Sequence, residues 1–283
     1  MLRKAFNEPQ AAPSSVRRDS GQCASIWHYH ETGSGRPLIL LHGIGMSHAA
    51  WDAVMPFLCP TRRVIAFDTA GFGSTPPLPR GILPTIPHLV EYLDRSISGI
   101  GIRVPVDIAG NSLGGSMALE AARRGIARSV VAISPAGLWR ANGPPPHVQY
   151  VFHGLRFMAT HFPGLVKATM QVPLLRESAL AVPISMGSWR MPAGDARRAV
   201  DDLARSTAFD ETFEHTRRPF SGRDITVPVT VAFGDRDWIL PKGSQCRDGL
   251  PAHTRWIEKP GWGHVPMWVD PVGVSQLILE GIR

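Results

Sequence analysis

The chain has 283 residues, of which 43% are hydrophobic, and a formal net charge of +7 at pH 7. This length and apolar content are enough to bury a large core, either as one α/β domain or as a core with an insertion. The positive charge is scattered, without a run of like charges and without a basic stretch interleaved with aromatic residues. We therefore expect no nucleic-acid partner.

The three cysteines, Cys23, Cys59 and Cys246, are odd in number, and no two of them have CxxC spacing. This pattern argues against a disulfide framework or a zinc site and fits a reducing compartment, so we expect a cytoplasmic protein. Residues 1–24 are polar and predict a flexible N-terminal arm rather than a signal peptide. No stretch is long and apolar enough to predict a membrane anchor.

Strand and helix signals alternate over residues 25–137. Continuous apolar runs at Leu38–Leu41 and Val64–Phe67, and the segments "VPVDIAGN" and "RSVVAISPAG", predict buried strands. Helical segments follow them, among them "SHAAWDAVMPFL" with Ser47 as its N-cap. This alternation predicts a mostly parallel sheet with helices on both faces. The first strand, "ASIWHYHETGSG", ends in glycines that we interpret as a hairpin turn.

Two histidines, His28 and His30, alternate with Trp27 and Tyr29 in this first strand. Their imidazoles would therefore lie on one face of the strand. Two imidazoles can bind a metal ion, but the sequence shows no third ligand, so we predict an ordinary strand and no metal site.

The alternation stops near residue 137, and residues 138–223 contain no clear buried strand. "HVQYVFHGLRFMATHF" and "DARRAVDDLARSTA" have apolar residues at helical spacing. We interpret residues 138–223 as a helical insertion, after which the alternation of strand and helix resumes over residues 224–283.

The segment "VDIAGNSLGGSMALEAARRG" joins a buried strand to an alanine-rich helix at Ser112. Gly110 and Gly114 flank the serine in a G-x-S-x-G pattern, which is typical of a nucleophile on a sharp strand-to-helix turn. Such a turn exposes the hydroxyl at the carboxyl end of the sheet, above a helix N-terminus that favours negative charge. The alternative is a structural serine in a glycine-rich turn.

A serine nucleophile needs a base, and the base needs an acid that orients it. With a nucleophile of this kind, the acid and then the base follow in the chain. Asp235 and Asp237 come just after a buried strand, and His264 follows the next strand. We predict His264 as the base and Asp237 as the acid, because Asp237 lies further into the loop than Asp235.

An acyl-transfer site also needs two N–H donors for the developing oxyanion. We predict the backbone N–H of Leu113, which follows the nucleophile, and that of Ile44 in "HGIG". Gly43 would let the backbone approach a substrate closely, and His42 would brace the loop.

The motifs "LLHGIGMSHAAWD", "FDTAGFGST", "GNSLGG", "FGDRD" and "GWGHVP" together resemble those of the α/β-hydrolase superfamily, in the same order. The resemblance covers about residues 25–283 and implies the α/β-hydrolase fold, with residues 138–223 as a cap above the active site. It implies that Ser112, Asp237 and His264 form a catalytic triad. The serine excludes the branches with an aspartate nucleophile, the haloalkane dehalogenases and epoxide hydrolases. "GNSLGG" with a helical cap is similar to bacterial carboxylesterases and meta-cleavage-product hydrolases.

These features predict a serine hydrolase that cleaves a small-to-medium hydrophobic carboxylic ester through an acyl-enzyme. No cofactor is expected, since the chain has no phosphate-binding loop or dinucleotide fingerprint. One alternative is carbon–carbon hydrolysis of a vinylogous diketone, although "HGIGMS" lacks the glycine–proline pair usual in that branch. Another is a binding or cyclisation protein of the same fold that does not hydrolyse. The sequence is compatible with a monomer and with an assembly of identical chains.

Large apolar side chains in the insertion and beside His264 are the candidates for the substrate pocket, because small-molecule sites are mostly apolar. The alternative is that they pack within their own elements. The candidate substrate-binding residues are Trp139, Trp189, Met191, Trp262 and Trp268.

Overall fold

The computed structural model describes residues 26–139 and 143–282. The predicted N-terminal arm lies outside these residues. Within them, the chain forms one seven-stranded sheet in the order β1-β3-β2-β4-β5-β6-β7. Every neighbouring pair is parallel except β1 with β3, which confirms the predicted, mostly parallel sheet. The strands are β1 (Tyr29–Thr32), β2 (Arg36–Leu41), β3 (Arg62–Phe67), β4 (Val106–Asn111), β5 (Ala127–Ile133), β6 (Val229–Gly234) and β7 (Arg255–Lys259).

Helices cover both faces of the sheet. One hydrophobic cluster joins Ile39 and Leu41 of β2 to α2 and α3, and a second joins Leu38 and Leu40 to α1 and α9. Because successive strand residues point to opposite faces, the continuous apolar run at residues 38–41 supplies both clusters. These helices are α1 (Met55–Leu58), α2 (Ile86–Gly99), α3 (Leu113–Arg123) and α9 (Pro271–Gly281).

The predicted hairpin between the first two strands is wrong. β1 pairs with β3 in antiparallel register, with Tyr29 opposite Phe67, and not with β2. Both neighbours of β2, β3 and β4, are parallel to it. The completely buried apolar residues of β2 belong in the middle of the sheet, so the short, half-polar β1 lies at the edge.

The predicted helix after Ser47 is divided into a 3₁₀ turn, His48–Trp51, and the short helix α1. Ser47 caps the 3₁₀ turn as predicted, and its hydroxyl accepts a hydrogen bond from the Ala49 N–H. Pro56 lies in the first turn of α1, where its missing N–H costs no helical hydrogen bond. A proline at this position is compatible with the start of a new helix but not with the middle of one long helix.

Between β5 and β6, the described residues form five α-helices and no strand of the sheet. α4, α5 and α7 contact one another. Prolines in the first turns of α4, α5 and α6 separate these helices from what precedes them. We keep the name insertion for residues 138–223, of which the structure describes 138–139 and 143–223. Its helices are α4 (Pro146–His161), α5 (Pro163–Gln171), α6 (Pro173–Leu180), α7 (Ala193–Arg205) and α8 (Phe209–His215). None of the described helices combines the length and the apolar character that crossing a bilayer requires.

Candidate active site

The serine of the sharp turn lies between β4 and α3 in a strained backbone conformation. Ser112 has a φ of +52°, a region that residues other than glycine rarely adopt. A Cβ at Gly110 would overlap the carbonyl oxygen of Gly114, and one at Gly114 would overlap that of Leu41. The two glycines therefore let the helix start directly against the strand ends, with the serine at the corner.

The structure brings the three predicted catalytic side chains into one hydrogen-bonded row. His264 Nε2 lies 3.0 Å from the Ser112 hydroxyl oxygen. His264 Nδ1 lies 3.1 Å from each carboxylate oxygen of Asp237. All three residues are buried. Asp235, the rejected candidate for the acid, accepts a hydrogen bond from the Gly261 N–H instead.

Backbone groups fix the Asp237 carboxylate. Its Oδ1 accepts hydrogen bonds from the N–H groups of Ile239, at 3.1 Å, and Leu240, at 2.8 Å. Burial raises the pKa of this carboxyl, but the neighbouring His264 and the hydrogen bond from Leu240 outweigh burial and lower the pKa below its ordinary value. Asp237 is therefore a carboxylate that can hold the imidazole with Nδ1–H toward it and Nε2 toward the serine.

The loop that carries His264 is held from two sides. On the sheet side, the Asn111 side-chain amide donates to the carbonyl oxygen of His264, at 2.9 Å. On the insertion side, the Gly263 N–H donates to the Ser185 hydroxyl and the Val265 N–H to the Ile184 carbonyl, each at 2.9 Å. The sequence did not predict these contacts, because no local pattern in the insertion indicates which of its residues bind the His264 loop.

Two backbone N–H groups border the serine and are the predicted oxyanion donors. Ile44 and Leu113 both line a small cavity that also reaches Ser112. Within the described chain, neither N–H donates a hydrogen bond. Both remain available to an oxygen atom bound next to the serine.

The loop that carries Ile44 is braced by His42. The Thr69 N–H donates to His42 Nε2, at 3.0 Å, so Nδ1 carries the proton and donates to the Gly43 carbonyl, at 2.7 Å. Complete burial lowers the pKa of His42 and keeps the imidazole neutral. A Cβ on Gly43 would contact Asn111 and the Cβ of Ser112. A larger residue at this position would push the loop slightly away from Ser112.

An apolar cavity of about 360 Å³ lies beside Ser112 and His264, beneath the insertion. Its polar side chains are Asn111, Ser112, Thr169 and His264, and no Lys, Arg, Asp or Glu among the described residues lines it. Of the predicted pocket residues, Met191 and Trp268 line this cavity. Its size and composition are those of a small-molecule site.

A much smaller cavity, about 40 Å³, lies on another side of the serine, and the predicted pocket residue Trp139 lines it. Phe152 of α4 lines both cavities, as do Ile44, Ser112 and His264. Phe152 was not a sequence candidate, because its helix has several aromatic residues at equivalent spacing.

Two predicted pocket residues lie elsewhere. The Trp189 side chain is 53% exposed and is stacked by the Arg190 guanidinium on the surface of the insertion. Trp262 is buried, but its indole N–H donates to Asp270 at 2.8 Å, beside the N-terminus of α9. Neither side chain lines either cavity. Trp262 is therefore bonded to the residue that caps the last helix and does not face a substrate.

Comparison with known proteins gives relatives with several activities. Epoxide hydrolase EphH of Mycobacterium tuberculosis is 29% identical over 213 residues, which cover 69% of this chain and 94% of the relative. 2-Hydroxy-6-oxo-2,4-heptadienoate hydrolase of Pseudomonas putida is 40% identical over 98 residues, which cover 34% of this chain and 35% of the relative.

Solved structures resemble the whole fold. A serine hydrolase involved in carbazole degradation is 25% identical with a TM-score of 0.63, over 89% of this chain and 92% of the other. An esterase from Thermogutta terrifontis, at 21% identity and a TM-score of 0.66 over 89% and 91% of the two chains, shares the fold. The model of the alpha/beta hydrolase family matches residues 38–277. The chain therefore belongs to the alpha/beta hydrolase family.

Proposed function

We propose that this chain is a serine hydrolase that cleaves a hydrophobic carboxylic ester through an acyl-enzyme. One observation carries the proposal: His264 lies 3.0 Å from the Ser112 hydroxyl and 3.1 Å from the Asp237 carboxylate. This is the arrangement in which an imidazole removes the proton of a serine while a carboxylate holds the imidazole in the required tautomer.

In the proposed reaction, His264 takes the hydroxyl proton as Ser112 Oγ attacks the ester carbonyl carbon. The N–H groups of Leu113 and Ile44 donate hydrogen bonds to the oxyanion, and one such donor typically contributes about 10²–10³ in kcat. The carbon–oxygen bond to the alcohol then breaks, and the alcohol leaves with the proton from His264. Water attacks the acyl-enzyme in the same way, and the carboxylic acid leaves Ser112. Asp237 stabilises the imidazolium in both steps.

The larger cavity supports an uncharged, apolar substrate. An anionic group in it would lose its hydration without gaining a Lys or Arg counter-ion from residues 26–139 and 143–282. The two cavities of about 360 and 40 Å³ differ greatly in size and meet at the serine. We infer an ester with one extended apolar substituent and one small one.

Carbon–carbon hydrolysis of a vinylogous diketone is the second candidate. The relative that is named a 2-hydroxy-6-oxo-2,4-heptadienoate hydrolase, 40% identical over 98 residues, favours it. The same three side chains would serve this reaction. The larger cavity, whose described lining has no Lys or Arg, favours a neutral group, so a substrate carboxylate would have to lie in the smaller cavity, which Arg217 lines.

Epoxide hydrolysis is less compatible with a serine at the turn, despite the relative of that name. A carboxylate that opens an epoxide forms an ester, which water can cleave. A serine alkoxide would form an ether, for which this site offers no route of hydrolysis. Ser112 therefore supports acyl transfer.

Covalent labelling tests the proposal. The purified chain should react with a fluorophosphonate probe and hydrolyse a p-nitrophenyl ester of a medium-length acyl chain. Ser112→Ala should not label and should lose at least about 10⁴-fold in kcat. Labelling without ester turnover would favour the second candidate, which a coloured ring-cleavage product would then test. Failure to label would support a binding or cyclisation role without hydrolysis.

A further inference from the structure

A second cluster of titratable side chains lies outside the candidate active site, at the edge strand of the sheet. Asp68 follows β3 directly and His28 precedes β1, and the Asp68 N–H donates to the His28 carbonyl, at 2.8 Å. His48 starts the 3₁₀ turn after the loop that carries Ile44. Each of His28, His48 and Asp68 offers a metal-ligating atom, and these atoms lie within 4.8 Å of one another.

The carboxylate of this cluster is held in place by the backbone. Asp68 Oδ1 accepts the His48 N–H at 2.7 Å, and Oδ2 accepts the Ser74 N–H at 2.8 Å. Each oxygen also meets one imidazole: His48 Nδ1 lies 2.9 Å from Oδ1, and His28 Nδ1 lies 3.1 Å from Oδ2. Two imidazole nitrogens and one carboxylate therefore lie together in one small region of the surface.

The cluster is open to solvent on its imidazole side. The Asp68 side chain is completely buried, whereas the side chains of His28 and His48 are 48% and 22% exposed. An ion can therefore enter past the imidazoles and reach an anionic group at the base of the site. The ring of His30 stacks on that of His48, with centroids 5.8 Å apart. This contact supports the orientation of His48.

We propose that His28, His48 and Asp68 bind one divalent transition-metal ion, with Zn²⁺ as the representative. Metal–ligand distances of about 2.0–2.2 Å place neighbouring ligand atoms roughly 3 Å apart. The nitrogen–oxygen separations of 2.9 and 3.1 Å are those of hydrogen bonds, and all three ligand atoms lie within 4.8 Å of one another. An ion would replace the Nδ1 protons, with small rotations of the imidazoles to close the shell. Two imidazoles and one carboxylate suit Zn²⁺, Co²⁺, Ni²⁺ or Cu²⁺ better than Mg²⁺ or Ca²⁺, which prefer oxygen ligands throughout.

Of the two histidines that the sequence suggested, the proposed site uses only His28, and the fold supplies the other two ligands, His48 and Asp68. Asp68 follows His48 by 20 residues and His28 by 40 residues. Only the fold brings these segments together. The site is independent of the proposed ester hydrolysis. A bound ion would join β1, the turn after β3 and the 3₁₀ turn, and would thereby stabilise the fold around the Ile44 loop.

Isothermal titration calorimetry of the tag-free protein with Zn²⁺, together with thermal unfolding, tests this site. The wild type should bind one Zn²⁺ and unfold at a higher temperature when the ion is present. His28→Ala and His48→Ala should each weaken binding at least about tenfold, as expected for loss of one ligand. His253→Ala, which removes an exposed histidine elsewhere, should bind like the wild type.

The imidazole variants are the informative ones, because a change at Asp68 also removes partners from two backbone N–H groups and can unfold the turn. Mg²⁺ should neither bind at this site nor raise the unfolding temperature. The proposal is overturned if the wild type shows no Zn²⁺ binding at millimolar concentration. It is overturned equally if both imidazole variants keep the stoichiometry and affinity of the wild type.

Discussion

Asn111 donates a hydrogen bond to the carbonyl oxygen of His264 across 153 residues of chain. The same amide donates to the Ile133 carbonyl, at 3.1 Å, so the nitrogen joins the ends of β4 and β5 to the loop of the proposed base. Asn111 immediately precedes Ser112. The strand that ends at the proposed nucleophile therefore also fixes the height of the imidazole above it.

Replacing Asn111 by Ala should lower kcat about tenfold or more with a smaller change in KM. The substitution leaves the His264 carbonyl without this partner, at a cost of roughly 1–3 kcal/mol, and lets the imidazole drift from the serine. Steady-state kinetics on a short p-nitrophenyl ester measure the effect, and circular dichroism verifies folding. A folded variant with the kcat of the wild type would show that Asn111 does not position the base.

The two aspartates after β6 should differ sharply in their effect on turnover. Asp237→Asn should lower kcat by about 10⁴, because an amide favours the wrong imidazole tautomer and does not stabilise the imidazolium. Asp235→Asn is the matched control and should stay within a few-fold of wild type, since an amide oxygen can still accept the Gly261 N–H. Kinetics on the same ester compare them. The opposite ranking would assign the role of the acid to Asp235.

Phe152 should determine how strictly the site separates a large from a small substituent. Its side chain lines both cavities, so Phe152→Ala should join them. We expect the variant to gain at least about tenfold in kcat/KM for esters with two bulky substituents relative to methyl esters, a change within the range of pocket contacts. Leu155→Ala enlarges only the larger cavity and serves as the control. Equal effects of both changes would contradict a separating role for Phe152.

Asp107 should make folding stability depend on pH. Arg62 and Arg128 each bond to this buried carboxylate at 2.7 Å, and the Ser129 hydroxyl does so at 2.6 Å. Burial raises the pKa of Asp107, but the hydrogen bonds from Arg128 and Ser129 outweigh burial and lower it. Because the folded-state pKa is below the unfolded-state value of about 3.9, the stabilisation is complete above that pH and is lost as pH falls through the folded-state pKa.

Asp107→Asn should therefore lower the free energy of unfolding by roughly 2 kcal/mol at pH 7, the scale of hydrogen bonds to a charged group. The difference in free energy of unfolding between the variant and the wild type should shrink as the pH falls below about 4. Urea denaturation at pH 7, 4 and 3 measures both quantities. A difference that stays constant over this range would mean that the charge of Asp107 contributes nothing to stability.

Local sequence patterns were sufficient for the sheet and for the meeting of Ser112, Asp237 and His264. Each of these residues follows a buried strand, and the carboxyl ends of parallel strands share one edge of the sheet. The sequence was insufficient where contacts depend on how distant segments pack. The antiparallel edge strand, the position of Phe152 between two cavities and the exposure of Trp189 all depend on such packing.

The bonds from Ile184 and Ser185 to the loop of His264 constrain how this molecule can admit a ligand. If the insertion swings away at these residues, two backbone donors next to the imidazole are released together. If their release moves His264 away from the Ser112 hydroxyl, ligand entry and proton transfer would occur at different times. The open form would then bind substrate without catalysing the reaction, and turnover would require the insertion to enclose the substrate first.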